Sequence, residues 1–142
     1  MSDPRAAAIQ YAHDHRDRFL EELKDFATIP SISTDPDAVP AMQQAAEWAA
    51  AQLRAQGLEH VQVFTTAKHP VVYGDWLKAG ENAPTALIYG HYDVQPADPL
   101  ELWTTGPFEP TVRGENIYAR GITDMKGQVM ASIKAIEAIV RT

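Results

Sequence analysis

The run TALIYG, residues 85–90, constrains the fold more than any other feature of the chain. It is continuously apolar rather than alternating, and a strand of that kind is buried on both faces. Two buried faces require covering layers, and helices are the natural cover, so the run predicts an α/β architecture. The flanking sequence agrees. Residues 5–28 place Ile9, Phe19, Leu20, Leu23 and Phe26 mostly at three- and four-residue steps, the pattern of an amphipathic helix, and Pro30 ends it. The segment SISTDPD then reads as a turn-rich loop. A second helix is predicted from Pro40 to Gln56 on the apolar positions Met42, Ala45, Ala46, Trp48, Ala49 and Leu53, with Gly57 as its stop signal.

HVQVFTT and HPVVYGDWLKA have the composition of strands, and GENAP after them that of a turn. Residues 95–110 carry four prolines and no sustained period, and read as a loop anchored by Trp103 and Phe108. TVR and NIYA around a Gly-Glu turn predict a hairpin. MKGQVMASIKAIEAIVRT predicts a closing helix, with Val129, Ile133, Ile136 and Val140 at helical steps. No internal repeat, low-complexity tract or linker interrupts the 142 residues, which suit one domain. The chain stops at Thr142, where the α/β pattern leads one to expect a further strand, and this points to a fragment.

Composition narrows the chemistry. Without cysteine there are no disulfides, thiolate metal sites or cysteine nucleophiles, so a transition metal would need histidine and carboxylate. A formal net charge of -7 without basic clusters disfavours nucleic acid and anionic membrane surfaces as partners. No stretch has the length of a signal peptide's apolar core or of a membrane span, so the expected location is the cytoplasm.

Two places carry chemistry. His91 and Asp93 follow the apolar run two residues apart, and in extended backbone such residues share a face. Asp93 can then accept from one imidazole nitrogen and aim the other at a metal. Sites of this kind lie beyond the carboxyl ends of strands in α/β folds. The same spacing in His15-Arg16-Asp17 falls on a predicted helix, where the residues diverge and read as solvated surface. The other place is ARGITDMKGQ, residues 119–128. Asp124, between hairpin and helix, can cap free N–H groups. Equally, its two oxygens can bridge two metal ions, with Gly121 and Gly127 allowing close backbone approach.

Together, GHYDVQP, WTTGPFEPTVRGENIYARG and ARGITDMKGQ resemble the dinuclear zinc metallopeptidase family of dipeptidases, carboxypeptidases, aminoacylases and succinyl-diaminopimelate desuccinylases. HYDVQPADPLELW is most similar to its dipeptidase, carnosinase-like branch. The resemblance implies a three-layer α/β catalytic domain with a mostly parallel central sheet, of which residues 1–142 are the N-terminal part. It implies that His91 is a zinc ligand, that Asp93 orients it, that Asp124 bridges two zinc ions, and that the Asp124–Met125 peptide bond is cis. Cobalt or manganese are the alternative metals. Many relatives carry a second aspartate where Met125 stands; desuccinylase-like members carry methionine.

The resemblance further implies a catalytic glutamate with an adjacent metal-binding glutamate, later ligands, and a lid domain that usually dimerises, none of which occurs before Thr142. Glu137 reads as an isolated solvated glutamate, and Glu21-Glu22 lies on the wrong element to serve as the catalytic pair. His13, His15, His60 and His69 have no partner pattern and read as surface or turn residues. Arg120 is a candidate partner for a carboxylate near the site, and Lys126 and Gln128 are assigned to supporting the helix start. The expectation is the N-terminal portion of a zinc-dependent dipeptidase, homodimeric at full length and inactive as this piece alone. The alternatives are an N-acyl amino acid deacylase of the same family, or a non-catalytic remnant that serves as an interaction module.

Overall fold

A computed structural model describes residues 3–142. Asp3 caps the first helix, α1 (Pro4–Asp14), by accepting from the Arg5 amide at 3.0 Å. The single helix predicted over 5–28 is broken at His15, which leaves helical geometry (φ -108°, ψ 8°) before α2 (Arg16–Ala27) begins. The cause is local. The Tyr11 carbonyl is shared between the His15 amide, at 3.1 Å, and His15 Nδ1, at 2.8 Å, and the two aromatic rings stack. The third helix, α3 (Val39–Ala55), ends as Gly57 predicts. Gly57 adopts φ 80°, its amide bonds the Arg54 carbonyl, and the Leu58 amide reaches back to Leu53, a paired closure that needs a left-handed residue.

The strands β1 (Glu59–Phe64) and β2 (Val71–Asp75) pair antiparallel and pack on α3, where Gly74 leaves room for Leu53 and Val61. The predicted hairpin forms from β3 (Thr111–Arg113) and β4 (Asn116–Tyr118), turning at Gly114 and Glu115. The last helix, α4 (Gly127–Arg141), packs against α1 and α2. Phe26, Ile29, Ala45 and Met130 form the core, flanked by Leu23, Trp48, Tyr92 and Val129. The Phe26 and Trp48 rings stack at 4.2 Å.

The class is α/β, as expected. The central layer differs from expectation. Among the described residues the one parallel pairing is the bridge between Ile32 and Val94, and residues 85–90 form no strand. Leu87 is 91% exposed and Tyr89 80%, where burial on both faces was predicted. The apolar content reports what the segment would bury, but a ladder needs a neighbour. No backbone–backbone hydrogen bond among the described residues involves 84–93.

Glu137 is a second correction. It is 2% exposed, not a solvated helix face. Tyr11 donates to it at 3.0 Å, Lys134 at 2.9 Å, and Arg18 closely from α2. Lys134 also reaches Gln52 on α3, at 2.9 Å, and pairs with Glu22. This network ties all four helices together. Burial alone would push the Glu137 carboxyl up, but the hydrogen bonds from Arg18, Lys134 and Tyr11 outweigh it and hold the group below its ordinary 4.5.

Three outcomes follow. Replacing Glu137 with Ala leaves Lys134 buried with fewer partners and lowers the unfolding free energy by about 3 kcal/mol, the low end for a broken buried pair because Arg18 is 40% exposed. A carboxylate with a depressed folded-state pKa stabilises fully above its unfolded value and loses that contribution as pH falls through the folded one. Urea titrations should therefore show the gap between wild type and Glu137→Gln narrowing below pH 4.5. At the start of α4, a Cβ on Gly127 would meet the Ile122 carbonyl oxygen at 2.2 Å, so Gly127→Ala should cost about 1–3 kcal/mol or more by the same titration.

Candidate metal centre

Two elements deliver the site. Residues 91–94 are held against the loop after α2: the Val94 amide donates to the Ser31 carbonyl at 2.8 Å, and the buried Ser31 hydroxyl donates to the Tyr92 carbonyl at 2.7 Å. Tyr92 donates in turn to the Pro70 carbonyl. Burial first, and the charge of Asp93 second, push its phenol up to about 12, which keeps it a donor. Between β4 and α4, residues Ile122–Lys126 make a wide turn in which Asp124 (φ -148°, ψ 96°) and Met125 (φ -132°, ψ 29°) are not helical. The Lys126 amide closes it on the Gly121 carbonyl at 2.8 Å. Gly121 takes φ 86°, and a Cβ there would lie 2.5 Å from Val94, so this turn and the His91 loop touch through a glycine. The Asp124–Met125 peptide bond is cis, as the resemblance implies, and so is Asp98–Pro99, which no motif in the sequence signals.

The geometry brings the three expected residues together. His91 Nδ1 lies 3.0 Å from Asp93 Oδ1 and 3.2 Å from the Asp93 carbonyl. His91 Nε2 lies 3.1 Å from Asp124 Oδ1, across 33 positions of chain. A neutral imidazole has one N–H. With the proton on Nδ1 and donated to Asp93, the Nε2 lone pair faces an Asp124 oxygen. Two electron-rich atoms so placed are satisfied by a cation between them or by a second proton. Ligands about 2.0–2.1 Å from a tetrahedral zinc stand roughly 3.3 Å apart, close to the observed separation, so the donor set fits a zinc ion. The Asp124 side chain is 74% exposed. Among the described residues no group of three or more His, Asp or Glu side chains forms a metal site, so these donors alone do not complete one.

The remaining candidates sort out by contact. Arg120 makes no salt bridge among the described residues and lies over the Trp103 ring, 5.3 Å from its centroid. Trp103 donates to the Ala97 carbonyl at 2.8 Å and anchors its loop. His60 sits at φ 50° and pairs with Asp75 at 3.0 Å, and His69 Nε2 donates to the Ser33 carbonyl at 2.9 Å. Lys126, assigned to supporting the helix start, reaches instead across to the end of α2. Its ammonium is fully buried and donates to the carbonyls of Phe26, at 2.9 Å, and Ile29, at 2.6 Å. Sequence reasoning missed Ser33, whose hydroxyl donates to Asp93 Oδ2 at 2.5 Å from 60 positions away. No local pattern signals such a contact.

Comparison with known proteins gives a consistent answer. Residues 87–142 match the profile of Peptidase family M20/M25/M40. The chain is 48% identical over 67 residues to a succinyl-diaminopimelate desuccinylase of Aromatoleum aromaticum, covering 47% of this chain and 17% of that protein. It is 32% identical over 125 residues to a cysteinylglycine-S-conjugate dipeptidase of Corynebacterium striatum, covering 88% of this chain and 27% of that one. Its fold superposes on human carnosine dipeptidase 1 with a TM-score of 0.86 and 30% identity, over 99% of this chain and 32% of that structure. The chain thus spans between about a sixth and a third of the length of these proteins. No helix of the described residues is long and apolar enough to cross a membrane. The matched segment 87–142 holds His91, Asp93 and Asp124, and over it the chain is similar to Peptidase family M20/M25/M40.

Proposed function

We propose that this chain is the N-terminal, metal-binding part of the catalytic domain of a zinc-dependent dipeptidase. The observation that carries the reading is the convergence of His91 Nε2 and Asp124 Oδ1 at 3.1 Å, with Asp93 on the opposite ring nitrogen. In this reading Asp93 holds the proton on Nδ1, which fixes the tautomer and leaves Nε2 to hold one ion. Asp124 would hold the metal through its carboxylate, beside Nε2. The chemistry that a zinc pair, or cobalt or manganese in its place, supplies when bound is a water acidic enough to attack and a polarised scissile carbonyl. Among the described residues no glutamate joins the pair as a third metal-binding group; Glu137 is committed to Arg18, Lys134 and Tyr11.

The dipeptidase reading draws support from the fold likeness to human carnosine dipeptidase 1 and the match to the cysteinylglycine-S-conjugate dipeptidase. The higher identity to the desuccinylase, 48%, favours a second reading in which the scissile bond is that of an N-acyl amino acid. We take the complete protein to be a cytoplasmic homodimer with a lid domain acting on dipeptides or small peptides; the substrate class is in keeping with the dipeptidases it matches.

The purified 142-residue chain is expected to bind zinc weakly and to hydrolyse no dipeptide; zinc-dependent turnover by it would overturn that part of the proposal. In the polypeptide encoded by the whole reading frame, His91→Ala and Asp124→Ala should each lower kcat/KM for dipeptides by more than about 100-fold, and Asp93→Ala by about 10–100-fold. Faster cleavage of N-succinyl or N-acetyl amino acids than of dipeptides by the same polypeptide would select the second reading.

A further inference from the structure

We infer that Ser33 is a positioning residue for the metal centre, acting through Asp93. The inference rests on the metal-binding reading of His91 and Asp124 and extends it to a segment outside the residues matched to the family. The contacts form one chain of donors. His69 Nε2 donates to the Ser33 carbonyl at 2.9 Å, and the Ser33 hydroxyl donates to Asp93 Oδ2 at 2.5 Å. Asp93 Oδ1 lies 3.0 Å from His91 Nδ1, whose hydrogen bond falls on the Asp93 backbone carbonyl at 3.2 Å, and His91 Nε2 faces Asp124.

Asp93 has two carboxylate oxygens: one accepts from Ser33 and the other lies against the His91 ring. A carboxylate held by His91 alone could rotate about its last bond and offer the ring either oxygen, or neither. The Ser33 hydroxyl, half-buried and bonded to the oxygen that His91 does not use, removes that freedom. Its position is not incidental to a floppy loop. The backbone of residues 31–33 is registered against residues 92–94 by the Val94 amide on the Ser31 carbonyl, by the fully buried Ser31 hydroxyl on the Tyr92 carbonyl, and by the parallel bridge between Ile32 and Val94. The His69 contact then fixes the carbonyl of Ser33 itself. Orientation of a ligating histidine by the carboxylate behind it governs metal affinity, and Ser33 is what orients that carboxylate.

The test uses the 142-residue chain and two readouts. Long-range proton–nitrogen NMR of the metal-free protein reports the tautomer of His91, its signals assigned by their loss in His91→Gln. Calorimetric titration with zinc chloride reports affinity. Wild type is expected to hold the Nδ1-protonated tautomer. Ser33→Ala should mix the two tautomers and weaken zinc binding by about tenfold, the low end for a group behind a ligand, while Ser33→Thr, which keeps the hydroxyl, restores both. Should Ser33→Ala fail to fold, Ser33→Cys keeps the volume with a weaker donor and must still shift the tautomer. An unchanged tautomer and unchanged zinc affinity in the folded variant overturn the inference. Zinc binding that Asp124→Ala does not alter overturns the metal reading instead, and the tautomer measurement then decides the role of Ser33 by itself.

Discussion

The Lys126 ammonium holds the two halves of this structure in place. It enters the core from the turn before α4 and ends on the carbonyls of Phe26 and Ile29, at the carboxyl end of α2. The Phe26 carbonyl belongs to the last turn of α2, at the negative end of its dipole, and the Ile29 carbonyl lies just past the helix end. A cation there is favourable, and the face of Phe26 lies 4.8 Å from the same nitrogen. Burial nevertheless draws its pKa down to about 7, so the contact is held against a large desolvation cost. Asp124 lies two residues from this anchor, and its reach toward His91 depends on where the anchor fixes the turn.

A second set of charges, with Glu137 and Lys134 buried at its centre, does comparable work farther along α4. Glu137, Lys134, Glu22 and Arg18 close a network that α1 joins through Tyr11 and α3 through Gln52. Neither glutamate is free for proton transfer. Each is an internal counter-charge that sets how the helices meet, and none of its partners is among the residues that line the metal centre. These carboxylates therefore fall into two roles. Those beside cations in the helical layer hold the fold, and those beside His91 shape the site.

What could be read from the letters alone follows the range of the interactions. Helix starts and stops depend on neighbours a few positions away, and the Gly57 closure and the hairpin at Gly114 and Glu115 came out as expected. The break at His15 was equally local but invisible to periodicity, because it arises from a shared carbonyl rather than from a helix-breaking residue. The convergence of His91 with Asp124 was legible only because the spacing of two motifs stood in for geometry. Contacts that no spacing encodes were missed or misjudged. Glu137 sits on a regular helical face, and its burial is decided by α1 and α2, more than a hundred positions away. Ser33 meets Asp93 across 60 positions. The apolar run 85–90 was read correctly as to composition, but strand formation is a property of pairs, and the pairing is absent from its surroundings.

That run has a practical side. Leu87, Ile88 and Tyr89 stand exposed next to backbone groups that bond no other part of the described chain. Open amide and carbonyl rows bearing large apolar side chains are templates for intermolecular strand addition. A net charge of -7 opposes such contact between molecules only while salt is low. Concentrating this polypeptide in high-salt buffer removes the one long-range repulsion that keeps these rows apart, and its solubility is governed by ionic strength more than by the stability of its helical core.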